Sequence, residues 1–271
     1  MMLSSETVAF TCEQFVWGKI IQEGRDISGY KIVAQSEGLS DKDFTEILSR
    51  TGAGVSQAVV QGRRAYALFH LPDNRVVFSC TQRSPKPEHH QRYYLQTHFL
   101  VCEWEAFESI HADLFFLAKQ IGEIPVFKIE EKLDKLHSAY PIPFPIENDL
   151  REIIGQYSDE FLENTYRALK GKNPVAIFDS SKSDQKVLKF FQLLIRLTPK
   201  AEQPNLTFAS MASGAEQGKY KFKVNPTGVL KLPHIVIRLD DKQVVPEKLV
   251  NELPGYGIFS FQANVREVRG A

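Results

Sequence analysis

Residues 188–210 read LKFFQLLIRLTPKAEQPNLTFAS, and the fold class turns on this stretch. Leu188, Phe191, Leu194, Ile195 and Leu197 recur at three- and four-residue steps, the spacing of a buried helix face. Thr198-Pro199 ends that helix, because proline has no N–H for the next backbone hydrogen bond. After a polar connector, Asn205 to Ser210 sets Leu206 and Phe208 against Thr207 and Ala209, the two-residue period of a half-buried strand. A helix feeding straight into a strand predicts a core element around which neighbouring segments pack. No nucleophile or metal-ligand set lies within it, so it reads as scaffold.

Working outward, Glu147 to Leu169 predicts a helix with Leu150, Ile153, Ile154, Tyr157 and Phe161 on one side. Gly171-Lys172-Asn173-Pro174 breaks it, Val175 to Phe178 predicts a short buried strand, and Asp179 to Ser183 supplies cap residues for the organising helix. Further on, strands are expected at Lys219 to Val224 and His234 to Leu239. A short helix follows at Pro246 to Leu253, then a Gly255-Tyr256-Gly257 turn and a polar tail. Toward the N-terminus, Phe15 to Ile21 and Tyr30 to Ala34 predict two strands around a glycine-bearing loop. Ser40 or Asp41 can cap a helix with Phe44, Ile47 and Leu48 on its apolar side. Ala65 to Leu71 and Arg75 to Thr81 predict a hairpin across the Pro72-Asp73-Asn74 turn. Tyr93 to Val101 predicts a strand, Glu103 to His111 and Asp113 to Gln120 two short helices, and Pro125 to Ile129 an extended piece.

Ser138 to Ile146, SAYPIPFPI, carries three prolines at alternate positions, which favours an extended path without backbone donors. The expected organisation is a strand-rich N-terminal part over 1–137, a proline-rich linker over 138–147 and a helix/strand part over 148–271. Antiparallel strand pairs mixed with irregularly spaced helices predict an α+β fold.

Lys+Arg and Asp+Glu both number 33 in the 271 residues, so the formal net charge is zero. That balance lacks the overall positive excess of a typical nucleic-acid protein and gives no general attraction to anionic membranes. The three cysteines, Cys12, Cys80 and Cys102, have no CxxC spacing and fit reduced thiols in a cytoplasmic protein. The start MMLSSETVAFTCEQF shows no secretory pattern, and no apolar run is long enough to span a bilayer.

The chain has no G-x-x-x-x-G-K-[ST], no H-E-x-x-H and no G-x-S-x-G, so no phosphate loop, metal set or nucleophile elbow is expected. No cofactor is implied. His98, in YLQTHFLV, reads either as a core ring bonded to its neighbours or as the centre of a hydrolase or nucleotide-processing site assembled from distant residues. Lys219, Lys221 and Lys223 share one strand face opposite Tyr220 and Phe222, a pattern a nucleic-acid sensor would use if bases stacked on the aromatic side.

The segments also occur in an order that resembles a known family. An aromatic-Gly strand (Phe15 to Gly18) is followed by a Gly-Tyr strand into a serine turn (Gly29-Tyr30 to Ser36). Next come a Gly-Leu…Asp helix start (Gly38-Leu39 to Asp41) and a tyrosine-rich strand ending in histidine and aliphatics (Tyr93 to Val101, with His98). A leucine-rich helix, a Leu-x-Pro step and an L-[ST]-F-[AS]-[ST] strand close the series (Leu193 to Ser210). This succession resembles the N-terminal region of the GTPase-associated adaptor proteins of bacterial conflict (defence) systems. Gln91-Arg92 stands where that family places a glycine, and the middle and C-terminal regions of longer members are reduced. The resemblance implies a non-enzymatic, cytoplasmic adaptor that links a GTPase or other core component to effector modules, with no catalytic residues to carry over. Interfaces favour aromatics and arginine, so Arg83, Arg92, Tyr93 and Tyr94 are the expected contact residues.

Overall fold

The computed structural model describes residues 6–23, 25–51, 59, 62–84, 87, 93–122, 131–142, 146–171, 175–178, 183–210, 222–224, 235–245 and 258–270, with backbone alone at 146–149, 184 and 222–224. The chain divides into two compact units, Met1–Ile142 and Pro143–Ala271, and the fold is α+β. The division falls inside the proline-rich stretch. Leu136–Pro141 (β9) is not a free linker. It pairs antiparallel with the first strand, Thr7↔Pro141 through Cys12↔Leu136, so the extended path favoured by the sequence is hydrogen-bonded into the first unit.

That first strand, β1 (Thr7–Gly18), organises the N-terminal unit. Its second half pairs antiparallel with β4 (Lys31–Gln35) on one side and with β7 (Leu95–Glu103) on the other. β7 continues to β6 (Arg75–Arg83) and β5 (Ala65–His70), and β4 pairs in parallel with the short β8 (Glu131–Lys132). The loop from β1 to β4 carries a two-residue ribbon, β2 (Ile21–Gln22) with β3 (Arg25–Asp26). The β5–β6 turn holds Asn74 at φ 68°, a left-handed conformation that asparagine tolerates better than most residues.

Both faces of this sheet are covered. On one, Phe15 stacks on Phe99 at 4.4 Å and meets Phe44 of α1 (Asp41–Thr51) edge-on at 5.0 Å. On the other, Phe10 meets Phe116, and Trp104 lies beside His70; these rings come from α3 (Leu114–Ile121) and α2 (Trp104–Ser109). Ser40 and Asp43 bond reciprocally at the start of α1, each satisfying a terminal N–H of the other, and Arg75 pairs with the same aspartate. Asp113 caps α3 through the N–H groups of Phe115 and Phe116 and accepts the Tyr140 hydroxyl at 2.6 Å, tying α3 to β9.

Glu13 locks the β4–α1 turn to β1. Its carboxylate accepts the Ser36 hydroxyl at 2.6 Å and the Gly38 N–H, and Lys135 pairs with it at 2.6 Å. Burial alone raises the pKa of this group, but these donors outweigh it and hold the carboxyl below its ordinary range. A Cβ at Gly38 would fall on that carboxylate, so a larger residue there would displace the Glu13 side chain from this lock.

In the C-terminal unit the strand order is β14 (Gln243–Val245), β13 (Ile235–Arg238), β10 (Val175–Phe178), β12 (Phe222–Val224), β11 (Phe208–Ala209). The β11–β12, β12–β10 and β10–β13 pairs are parallel and β13–β14 is antiparallel, so this sheet is mixed. The organising helix is α6 (Asp184–Leu197), capped by Ser183 on the Lys186 N–H. It is buried nearly all round. Phe191 stacks on Phe208 at 3.9 Å on the sheet side, while Phe190 meets Tyr157 and Phe161 on the helix side. At its end, Gln203 donates to the carbonyls of Ile195 and Thr198, satisfying acceptors the helix leaves open.

The single helix expected over Glu147 to Leu169 is two, α4 (Ile146–Ile154) and α5 (Asp159–Lys170), because Ser158 starts a fresh N-cap on the Phe161 N–H. The expected polar tail is also a helix, α7 (Ile258–Arg269). Phe261, Val265 and Val268 form its buried stripe, and Phe261 stacks on Tyr166 at 4.4 Å. Pro125 to Ile129 and Pro246 to Leu253 lie outside the described residues.

Truncating the Phe191 side chain removes a stacked, buried ring. Phe191→Ala is expected to cost about 3–5 kcal/mol in chemical denaturation. Phe259→Ala on the same unit, at 82% exposure, is expected to change stability by less than about 0.5 kcal/mol.

Candidate interaction surface

The N-terminal sheet is antiparallel from β5 through β6, β7 and β1 to β4, so alternate strand ends meet along one edge. The register brings together the start of β5, the end of β6, the start of β7, the end of β1 and the start of β4: Ala65↔Thr81, Arg83↔Leu95, Trp17↔Thr97 and Gly18↔Lys31. Chain segments far apart in sequence thereby become neighbours.

At this end Trp17 and Tyr30 stack with centroids 4.5 Å apart and planes 18° from parallel. The Lys19 ammonium lies 5.0 Å from the Tyr30 centroid and also pairs with Asp26 at 2.9 Å. Tyr30 reaches across to β7, where its hydroxyl accepts the Leu95 N–H at 3.1 Å. Next along the edge, the Arg83 guanidinium sits 4.3 Å from the Tyr93 ring centroid. A Cβ at Gly62 would come within 3.6 Å of that guanidinium, and its φ of 98° is one that only glycine adopts readily. Tyr30 is 43% exposed, Tyr93 38% and Ile27 56%, three of the four large hydrophobic side chains that reach solvent among the described residues.

The expected contact residues therefore separate. Arg83 and Tyr93 meet as a cation–π pair at the surface. Tyr94, expected beside them, is buried at 3% exposure; alternation turns it inward, and Ser84 fixes its backbone through an N–H donated to the Tyr94 carbonyl at 2.7 Å. Arg92 lies outside the described residues, as do Lys219 and Lys221, and only the backbone of Lys223, in β12, is described. Trp17, Lys19 and Tyr30 were missed as site residues, because only the strand register joins them to Tyr93.

His98 lies on the opposite face, between Val16 and Cys80 on the flanking strands. Its Nε2 is 2.9 Å from the Gln14 Oε1, and the Gln14 amide nitrogen donates to the Asp134 carbonyl at 2.7 Å. The amide oxygen must accept, so the ring carries its proton on Nε2. Its Nδ1 is buried without a hydrogen-bond partner, and burial pushes the pKa down to about 4. His98 is a neutral core ring at physiological pH. His70 is also pushed down to about 4 by burial, with both ring nitrogens unpartnered. The Cys12 thiol is driven up by burial and Cys102 to about 12, so neither is a ready thiolate.

A groove of about 520 Å³ runs along β4, lined by Ile32 to Glu37 with Glu131 and Lys132, and a cavity of about 120 Å³ opens beside Arg151, Arg196 and Glu267. His98 lines neither. Among the described residues no group of three or more His, Cys, Asp or Glu side chains is placed to hold a metal ion, and no helix is long and apolar enough to cross a membrane. No protein-family model matches the chain, and no curated protein matches it.

The two depressed histidines give a signed pH dependence. Between pH 6.5 and about 4 the unfolded chain protonates rings that the folded chain keeps neutral, so stability is full above 6.5 and falls as pH drops toward 4. Thermal melts across that window are expected to show the decline, and His70→Phe is expected to make it shallower while leaving the pH 7 melt within a few degrees of the parent.

Proposed function

We propose that this chain is a non-enzymatic adaptor, a cytoplasmic interaction protein that links a GTPase or another core component to effectors in a bacterial defence system. The observation that carries the reading is the exposed aromatic–cation edge of the N-terminal sheet, where Trp17, Lys19 and Tyr30 adjoin Arg83 and Tyr93. Interface hot spots favour such side chains, since they offer large rigid surface and directional donors at low entropic cost. The rings are prearranged by their mutual stacking, which lowers the ordering cost of binding. The defence-system context comes from the resemblance in motif order, and the burial of His98 favours this reading over a hydrolase built around that residue.

Affinity recovery of the tagged chain from its native host, read by mass spectrometry, tests this directly. Recovery of a GTPase is expected, falling at least about tenfold in a Tyr93→Ala/Ile27→Ala variant and unchanged in His98→Gln. Equal recovery by parent and double variant would remove this edge as the contact surface, and a preparation with no specific partner would count against the adaptor itself.

A further inference from the structure

The first strand changes partner at one residue. Its pairing with β7 runs from Trp17↔Thr97 to Glu13↔Val101, and its pairing with β9 begins at Cys12↔Leu136. One step further along the β7 register sets Cys12 opposite Cys102. Both are free thiols, 3% and 5% exposed. Residues directly opposite in a ladder share a face, so both side chains lie on the face that carries Val16 with His98 and Gln14 with Leu100.

Backbone hydrogen bonding fixes the kind of pair. Ser36 donates to the Gln14 carbonyl and Ile142 to the Glu6 carbonyl, so by alternation Cys12 turns its backbone groups toward the β4 and β9 side. Cys12 therefore faces Cys102 without mutual backbone bonds, the closer of the two antiparallel arrangements. Cα atoms in such pairs are about 4.5 Å apart, inside the span of about 4.4–6.8 Å that a disulfide bridges. The electrostatics agree: burial first, and then the field of Cys102, drives the Cys12 thiol up. Cys80 is placed differently. Its ladder neighbours are Tyr66 and His98, and Cys102 is level with Val76, about 13 Å away along β6.

We propose that Cys12 and Cys102 are a redox pair, converted by a peroxide into a cross-strand disulfide that closes the fork where β1 leaves β7 for β9. One thiolate attacks a peroxide oxygen and becomes a sulfenic acid as the O–O bond breaks. The second thiol attacks that sulfur, the S–S bond forms and water leaves. Two thiols and one hydrogen peroxide thus give one disulfide and two waters, with two electrons passing from sulfur to peroxide. Burial keeps both thiols protonated, so the reaction is slow while the fork is closed. Cys102 lies one residue from exposed Glu103 at the end of β7, and strand ends open more readily than strand centres. The bond closes a loop of about ninety residues, so it stabilises the fold chiefly by restricting the unfolded chain.

The test treats the full chain with hydrogen peroxide at about pH 8, where more thiolate forms, and reads it by thiol titration in denaturant and by non-reducing peptide mapping. One titratable thiol is expected to remain of the three, with a single linked peptide pair holding Cys12 and Cys102. The melting temperature is expected to rise by several degrees and to return on reduction with dithiothreitol. Cys80→Ala is expected to keep the bridge and Cys12→Ala to lose it. Because titration and mapping are read on the parent chain, the result stands even if a variant folds poorly. In denaturant, Cys80 is expected to enter bridges as well, and the same mixture of links in the folded chain would overturn the pairing. Three thiols surviving the treatment, or oxygen added to single cysteines without a bridge, would overturn the proposal itself.

Discussion

Backbone pairing along β1 is the constraint on which the N-terminal unit depends. Its first half is zipped to β9 and its second half lies between β4 and β7, so one strand joins elements drawn from residues 7 to 141. Register fixes which side chains face which layer, since a slip of one residue would turn every side chain of the strand over. Phe15 then stacks on Phe99 under α1, while Phe10 is held against α3 on the other face. The Glu13 lock through Ser36 and Gly38 pins the same register from the side of the β4–α1 turn.

That register also produces the surface. In an antiparallel array, the end of β1 necessarily lies beside the starts of β4 and β7, and the end of β6 beside the start of β5. Residues that appear scattered along the chain, from Trp17 to Tyr93, are gathered on one edge by pairing alone. The sheet interior has the opposite character. Burial keeps His98 and His70 neutral, because a charged ring would be costly to desolvate there. The buried rings are thus neutral, and aromatic and cationic side chains meet at the strand ends.

Much of the fold was legible because strong periodicity and turn chemistry agree. The α6 stripe, the Pro72-Asp73-Asn74 hairpin and the helix start at Ser40 each carry a local physical cause, and each appears where the sequence places it. What failed to read locally was set by packing. Phe190 and Leu193 add a second buried side to α6 because helices cover it as well as the sheet. The last helix looked like a polar tail because its Phe261, Val265 and Val268 stripe is narrow among charged residues. Tyr93 and Tyr94 are adjacent and chemically alike, so only the strand's alternation and the Ser84 contact separate the exposed ring from the buried one. In the candidate surface, Arg83 and Tyr93 can be singled out by residue type, whereas the placing of Trp17, Lys19 and Tyr30 beside them depends on long-range register.

Amide hydrogen exchange of the chain, alone and with the partner recovered from its host, tests the central claim most directly, because it reports where binding protects the backbone. Protection is predicted at residues 17–31, 62–65 and 93–96, with exchange unchanged in α6 and α7. Protection centred instead on the β4 groove or in the C-terminal unit, with the sheet edge unaffected, would contradict the account.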